Sequence, residues 1–540
     1  MTRIVILGGG FAGLFAAKSL VKNLGKSVEV ELVSDQNFFV FQPLLPEVAA
    51  GSITAAHAIS SLRGLLKHVK TRKARVHSID FVSKTVTVFQ GVQKRPTQVP
   101  YDQLVIALGQ STDLSRTPGL SEHALAMKTL SDASKLRAHI IEKLEHADIT
   151  QLPEVKREAL TFCVVGGGFS GVETVGEIKE LIDRSLKYYP SIDPSEVQVI
   201  LLEFAESILS ELPPRLRCYA TEQLKQRGIE VRTSTGITSA TGTAITTTNG
   251  DVIGTRTIVA TIGNAPSCVV RRLGIKTERG KIVVDRSLAV VGVKDAWALG
   301  DCAHVPLVDA ATAPQEFAPP TAQFAVREAR VVADNIHRKL GGKQPIPFSY
   351  KSKGAMASLG SKRGVAEVMG LTLTGFPAWL LWRAFYLSFL PGASTRLKVF
   401  LNWTLDGLMP RSIVQDIAPD SGQTRVVHYR AGDRIFEAGN RADGFYTIIS
   451  GRVEVRMKDA KSGDLTSREI AAGGHFGERL ILGESRRTGT VRALENTEVL
   501  VMDREEFLRL ASAFPAFKDY FRAYFKDTYD IGWTPPAQLQ

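Results

Sequence analysis

The chain opens on Ile4-Val5-Ile6-Leu7, an unbroken apolar run. It turns through Gly8-Gly9-Gly10-Phe11-Ala12-Gly13 and continues as a helical apolar pattern to about Asn23. A second apolar run spans Val28–Ser34. Unbroken rather than alternating runs mark strands covered on both faces, and helices between them make the sheet parallel. The same order returns later: an apolar run at 160–165, then Gly166-Gly167-Gly168-Phe169-Ser170-Gly171, a helix from Val172, and a run at 197–202 that leads to Glu203. Two further strand patterns stop at glycine, 101–109 at Gly109 and 296–305 at Gly300-Asp301. The pattern predicts an α/β chain with two tandem Rossmann-like, dinucleotide-binding folds.

Further along, 319–335 reads as a helix, and 375–392 (GFPAWLLWRAFYLSFLPG) as an apolar, aromatic helix broken by Arg383. From about Val427 the period changes to short alternating runs at roughly ten-residue spacing, the mark of a small antiparallel roll. Helical patterns at 504–512 and 517–529 close it.

The two glycine runs carry the chemistry. In each, the first glycine (Gly8, Gly166) makes a tight turn and the second (Gly10, Gly168) lets backbone approach a pyrophosphate. The third (Gly13, Gly171) lets the helix pack on the strand. The diphosphate then lies at a helix N-terminus, where free N–H groups and the dipole favour an anion. An acid usually closes the second strand to hold a ribose hydroxyl; the first site has Ser34 there with Asp35 one later, and the second has Glu203. A carboxylate at Glu203 accepts from both ribose hydroxyls of NADH and repels the extra phosphate of NADPH. Two such sites in one chain are the layout of a flavoprotein with FAD in one fold and a nicotinamide nucleotide in the other.

Composition narrows the options. A chain of 540 residues allows three or four domains at about 150 residues each. The 4 cysteines (Cys163, Cys218, Cys268, Cys302) have no metal-like or CxxC spacing, so no zinc site, iron–sulfur cluster, redox pair or disulfide framework is expected. With no leader pattern before Ile4 and no apolar stretch of the ~18–20 residues a bilayer needs, neither a signal peptide nor a membrane span is expected. The net charge of +12 asks for an anionic partner. Between Lys351 and Arg411 stand eight Lys or Arg against Glu367 and Asp406, half of that surplus, together with Trp379, Trp382 and Trp403 of the chain's 5 tryptophans. Such a mixture suits a helix lying in the headgroup layer of an anionic membrane, so the surplus faces lipid and no nucleic-acid partner is expected. A buried helical hairpin or a homodimer contact is the alternative.

Residues 1 to about 412 resemble the type II NADH:quinone oxidoreductases, single-subunit, non-pumping, FAD-dependent respiratory enzymes. The likeness rests on both glycine fingerprints, the Phe41-Gln42-Pro43-Leu44-Leu45 loop, Gly171-Val172-Glu173, Ala260-Thr261-Ile262-Gly263 and Gly300-Asp301. It implies FAD as cofactor, NADH as substrate, membrane quinone as acceptor, and a peripheral, monotopic place on the cytoplasmic face of the inner membrane. It also implies that Asp301 holds the ribityl chain and that Glu173 lies where nicotinamide meets flavin, influencing substrate exchange and proton traffic; Glu177, one turn on, is the weaker candidate. The family presents two glutamines to the quinone; Gln323 matches the first, and Arg327 stands at the second.

Phe476-Gly477-Glu478, followed by Arg487-Thr488-Gly489, resembles the phosphate cassette of cyclic nucleotide-binding domains. Arg487 would neutralise the cyclic phosphate, Glu478 would accept from the ribose hydroxyl, and Thr488 leaves room for cyclic GMP beside cyclic AMP. Gly489 replaces the family's alanine. The few residues after the last helix leave no room for a helix-turn-helix, so no transcription regulator is expected. The expected organisation is 1–125 and 290–345 for FAD, the latter with the quinone-side helix, and 126–289 for NADH. A membrane-interface segment follows at 346–412, then a cyclic nucleotide-binding-like roll at 413–530 and a tail at 531–540. The short linker leads us to expect the roll beside the interfacial segment, where a nucleotide would alter quinone turnover. Two rivals stand: a reductase of a soluble acceptor, and a redox or nucleotide sensor with vestigial activity.

Overall fold

The strand Thr2–Leu7, formed from the opening apolar run, has Ile4 to Leu7 wholly buried. Val28–Ser34 pairs parallel with it on one side and Gln103–Ile106 on the other. A computed structural model supplies these coordinates and describes residues 1–534, apart from 92, 308–315, 416–423, 430, 440, 441, 443, 459–464 and 485. The middle of the expected linker and the end of the expected tail lie outside the described residues. The first sheet has seven strands in the order Ala296–Ala298, Gln103–Ile106, Thr2–Leu7, Val28–Ser34, Lys70–Asp80, Thr85–Gln90, Arg95–Pro100. Its order reverses at Thr2–Leu7, which opens a crevice at the carboxyl ends of the strands. Helix α1, Phe11–Leu24, begins in that crevice. The short helix α2, Leu45–Ala49, follows the Phe41–Leu45 loop and is buried along its whole length.

The chain leaves this fold through a crossing that contains α3, Leu120–His123. It then builds a five-stranded sheet, Ala124–Ala126, Thr257–Ala260, Thr161–Val165, Gln198–Leu202, Ile229–Arg232, parallel throughout. Thr129 and Asp132 form a capping box that starts α4, Leu130–Ile149. Helix α5, Phe169–Ser185, starts in the second crevice. The return strand, Ala296–Ala298, pairs with Gln103–Ile106, so the first fold is assembled from two separate stretches of chain. Helix α6, Ala322–Leu340, then lies along α1.

An antiparallel sheet of Gly354–Gly360, Arg363–Val368 and Leu371–Thr374 leads into α7, Gly375–Phe389, and α8, Ala393–Asp406. None of the described helices is long and apolar enough to cross a membrane. One side of this pair is unusually apolar: Phe376, Leu380, Leu397, Phe400, Leu401 and Leu405 are all exposed. Tryptophan behaves otherwise than the sequence pattern suggested. Trp382 and Trp403 are buried rather than at a headgroup layer, because each indole N–H has a carboxylate waiting inside the protein.

The roll consists of two four-stranded antiparallel sheets facing each other across Ile448, Val453, Phe476, Val491 and Val499. Helices α9, Arg504–Ala513, and α10, Pro515–Tyr529, pack on it through Phe507, Phe521 and Phe525. The roll meets the rest of the chain at α3. There the backbone N–H of His428 donates to His123 Nε2 at 3.3 Å, and Val427 lies beside Gly242. Docking at the crossing between the two dinucleotide folds replaces the expected docking beside the interfacial segment.

Candidate functional site

The two crevices repeat one geometry. Gly8 has φ +110, and a Cβ there would strike Ala107 O at 2.1 Å; Gly166 has φ +105, and a Cβ there would stand 2.7 Å from Ile262 and 2.8 Å from Thr261. A Cβ on Gly13 would lie 1.9 Å from Gly8 O, and one on Gly171 1.7 Å from Gly166 O, so each third glycine lets its helix touch the turn. Gly10 and Gly168, by contrast, face open space and cap α1 and α5 with no side-chain hydrogen bond. Two helix N-termini, each with an empty glycine approach, are what a dinucleotide diphosphate requires.

Each crevice has its own surroundings. Ser34 is buried against Gly9, its Oγ accepting from Gln36 N at 3.3 Å, while Asp35 is exposed. Glu203 accepts from the Gly167 N–H and, at 2.7 Å, from Ala205 N, which holds its carboxylate against the second fingerprint. Gly300 (φ +70) lies so close to α1 that a Cβ would stand 2.9 Å from Ala12, and this brings Asp301 to the first crevice. Gly109 (φ +61) faces open space at its rim. Behind Gly300 sits Glu328, accepting from Gly300 N at 2.7 Å; burial, with Asp301 nearby, pushes it up to about 7. These features fit FAD in the first crevice and a nicotinamide nucleotide in the second. The cysteines are all free; Cys163 and Cys302 are buried and pushed up to about 12 and about 11, so neither thiol is ionised near neutral pH.

Between the two folds lies a buried group of acids. Glu173 on α5 accepts from Trp382 Nε1 at 2.8 Å and Ser358 N at 3.1 Å. Burial pushes it up to about 8 despite those donors, and Glu47 and Glu177 add to the effect. Glu177 is raised by burial too, against the pull of Arg411, whose NH1 stands 3.2 Å away. Glu47 on α2 was missed in the sequence. It accepts from Trp403 Nε1 at 2.9 Å, lies 3.5 Å from Arg383, and is raised by burial to about 7. Its signal was there: one acid inside the apolar run Leu44-Leu45-Pro46-Glu47-Val48-Ala49-Ala50. Glu328 was missed for the same reason, an acid on the buried face of an amphipathic helix.

Gln323 and Arg327 lie one turn apart on α6 and share Tyr350. Tyr350 OH donates to Gln323 Oε1 at 3.1 Å, and the Arg327 guanidinium stacks 4.2 Å over the Tyr350 ring. Gln323 also donates to Gly354 O at 3.1 Å. Gly354 and Ser358 sit on one strand, so the contacts of Gln323 and Glu173 lie about 13 Å apart along it.

In the roll, Gly477 (φ +78) opens a one-turn helix whose Glu478 is buried and accepts from Tyr529 OH on α10. Arg487 is buried too, its guanidinium 4.1 Å over Phe436, donating to Gly444 O at 2.7 Å and Gly477 O at 3.2 Å. Thr488 is exposed beside it. The glycine at 489 has a steric reason: a Cβ would stand 2.6 Å from Met457 and 2.8 Å from Arg456 O.

Comparison with known proteins agrees with this geometry. Residues 2–329 match the pyridine nucleotide-disulphide oxidoreductase family, 352–412 the NDH2 C-terminal domain, and 426–514 the cyclic nucleotide-binding domain. A type II NADH:quinone oxidoreductase (Ndh) of Mycobacterium tuberculosis is 31% identical over 76% of this chain and 89% of its own. Demethylphylloquinone reductase NdbB of Synechocystis is 32% identical over 74% of this chain and 95% of its own. In fold, the chain is similar to NDH2 from Plasmodium falciparum solved with NADH, with a TM-score of 0.71, 20% identity, and coverage of 76% of this chain and 99% of that one. The chain thus belongs to the type II NADH:quinone oxidoreductases, whose family cofactor is FAD, and carries a cyclic nucleotide-binding domain after them.

Proposed function

We propose that this protein oxidises NADH at FAD and passes two electrons to a membrane quinone without pumping protons, under the control of a cyclic nucleotide. The observation that carries the reading is the pair of open glycine cradles, at Gly10 and Gly168, on one chain with a relative named as a quinone reductase. When bound, FAD supplies the hydride and electron chemistry. Gly8, Gly10, Gly13, Gly109 and Asp301, with Ser34 and Asp35 at the ribose end, hold FAD. Gly166, Gly168, Gly171 and Glu203 hold NADH. Glu173 serves proton traffic between them, while Gln323 and Arg327 face the quinone. The apolar side of α7 and α8, with Arg396 and Lys398 near it, supports attachment to an anionic membrane on the cytoplasmic side.

Gly477, Glu478, Arg487 and Thr488 receive cyclic AMP or cyclic GMP. The internal contacts of Glu478 and Arg487 mean that a ligand must take the place of the Tyr529 hydroxyl and draw the guanidinium outward. Because the roll docks on the crossing between the two dinucleotide folds, its ligand acts on the approach of NADH to flavin. The test is an NADH:quinone assay in anionic vesicles, with and without each nucleotide. Quinone-dependent turnover supports the reading; flavin that NADH bleaches but no quinone reoxidises sinks it.

A further inference from the structure

The acids beneath the Phe41–Leu45 loop are arranged unequally. Glu47, Glu173 and Glu177 are all buried, and among the described residues the arginines in ion pairs with them are Arg383 and Arg411. Arg411 is bound to Glu177 and also to Asp406 at 2.9 Å, and Arg383 faces Glu47. Among the described residues, Glu173 makes no ion pair. Its donors are one backbone N–H and one indole N–H. Two buried indoles, Trp382 and Trp403, tilted at 47° with centroids 6.3 Å apart, each donate to one of the two carboxyls, Glu173 and Glu47. A buried carboxyl beside a cation gives up its proton more readily than one without a cation.

We infer that Glu47 is a positioning residue for quinone reduction: with Arg383 and Trp403 beside it, it ionises before Glu173, and its charge then keeps Glu173 in the acid form that gives up a proton when quinone is reduced. This rests on the quinone reductase reading. Reduction of one quinone by NADH consumes one proton beyond the hydride: NADH, a proton and quinone give NAD⁺ and quinol. The Glu173 O–H bond breaks and its proton, relayed by water, forms a quinol O–H bond; the electrons come from NADH by way of the cofactor, and the carboxylate regains its proton from solvent. The groups facing Glu47 are Arg383 from α7, Arg411 just beyond α8, and Glu173 and Glu177 from α5; Glu180 and Asp406 act on Glu177 behind them, and Tyr386 of α7 stands by Glu173. The raised proton affinity of Glu173 agrees with this arrangement.

The experiment titrates the holoenzyme by infrared spectroscopy, following the carbonyl stretch of protonated buried carboxyls, alongside the pH profile of quinone turnover. In Glu47→Gln the Glu173 band, identified by its loss in Glu173→Gln, should vanish about one pH unit lower than in the wild type, a tenfold change in proton concentration. The alkaline fall in turnover should move with it, and Glu47→Asp should restore both. Trp403→Phe keeps the charge-bearing residue but removes its donor, and should shift both in the same direction by less; it serves if Glu47→Gln fails to fold. A Glu173 band that stays in place in Glu47→Gln, or in Trp403→Phe should that variant stand alone, overturns the inference. A band that shifts in a protein no quinone oxidises leaves the pairing intact and overturns the quinone reading instead.

Discussion

Burial sets the proton affinity of the carboxyls on which the proposed chemistry rests. Glu173 is held neutral to about 8, where a free glutamate ionises near 4.5. Between those two values the native state binds a proton that the unfolded chain has lost, so native stability falls as pH rises through that window. Glu173→Gln removes the titration; its thermal midpoint should gain on the wild type from pH 5 to pH 8, and a constant gap across that range would show Glu173 to be ionised in the fold. Glu203 is the opposite case. It is half-buried and fastened to Gly167 and Ala205 by backbone donors, and in the proposed NADH cradle it would repel a second phosphate. At an effective dielectric of about 20 and roughly 4 Å the bare repulsion is ~4 kcal/mol, of which solvent and salt screening at a half-buried site leave ~1–2 kcal/mol. Glu203→Gln should therefore narrow the preference for NADH over NADPH roughly tenfold, and equal use of both by the wild type would remove Glu203 from the role. Glu203 was legible because it ends a strand of a known pattern. Glu47 was not, because a lone acid in an apolar run discloses its burial but not its partners, which lie more than three hundred residues away on α7 and α8.

At the scale of elements, glycine sets how closely each helix meets its turn. A helix can touch its turn only where no Cβ intervenes, and both third glycines meet that condition with the turn's own carbonyl. Gly171→Ala should push α5 off the turn and spoil the second cradle while leaving the first intact. The purified variant should keep its flavin yet fail to be bleached by NADH, and normal bleaching would mean the cradle tolerates the shift. Gly489→Ala restores the residue common in such cassettes, yet here its Cβ meets the Arg456 carbonyl, which belongs to a paired strand and cannot turn aside. Overpacking of that kind costs about 1–3 kcal/mol, so the roll should melt earlier than in the wild type. The aromatic helix shows where pattern reading stops. Its composition announces an amphipathic surface element, and α7 and α8 do expose Leu and Phe. Which tryptophans turn inward depends on acids contributed by other folds, and no local period records them.

The whole molecule is held together by crossings. The chain passes from the first dinucleotide fold to the second through Gln110–Thr112 and α3, and comes back through Asn264–Pro266, which pairs antiparallel with Gln110–Thr112. Gly119 (φ +74) seats the start of α3 directly on the second fold; a Cβ there would lie 1.9 Å from Ala240 O. The roll rests on this same short helix, through His428 and His123 and through Val427 beside Gly242. The linker length visible in the sequence suggested the interfacial helices instead, since chain length limits reach but does not choose a surface. A ligand shifts an equilibrium only by binding two arrangements unequally. On the proposed reading the element that would yield to a nucleotide is α10, whose Tyr529 donates to Glu478, and the surface that would feel the roll move is the crossing between the two cradles. A cyclic nucleotide should therefore change the rate at which NADH bleaches the flavin, measured by stopped flow, and leave reoxidation by quinone unchanged. Val427→Asp puts a charge against Gly242 at the docking face; it should abolish the response while calorimetry still records nucleotide binding. A response confined to the quinone step would place the roll's action at the membrane after all, and no binding of either nucleotide at millimolar concentration would leave the roll without a ligand.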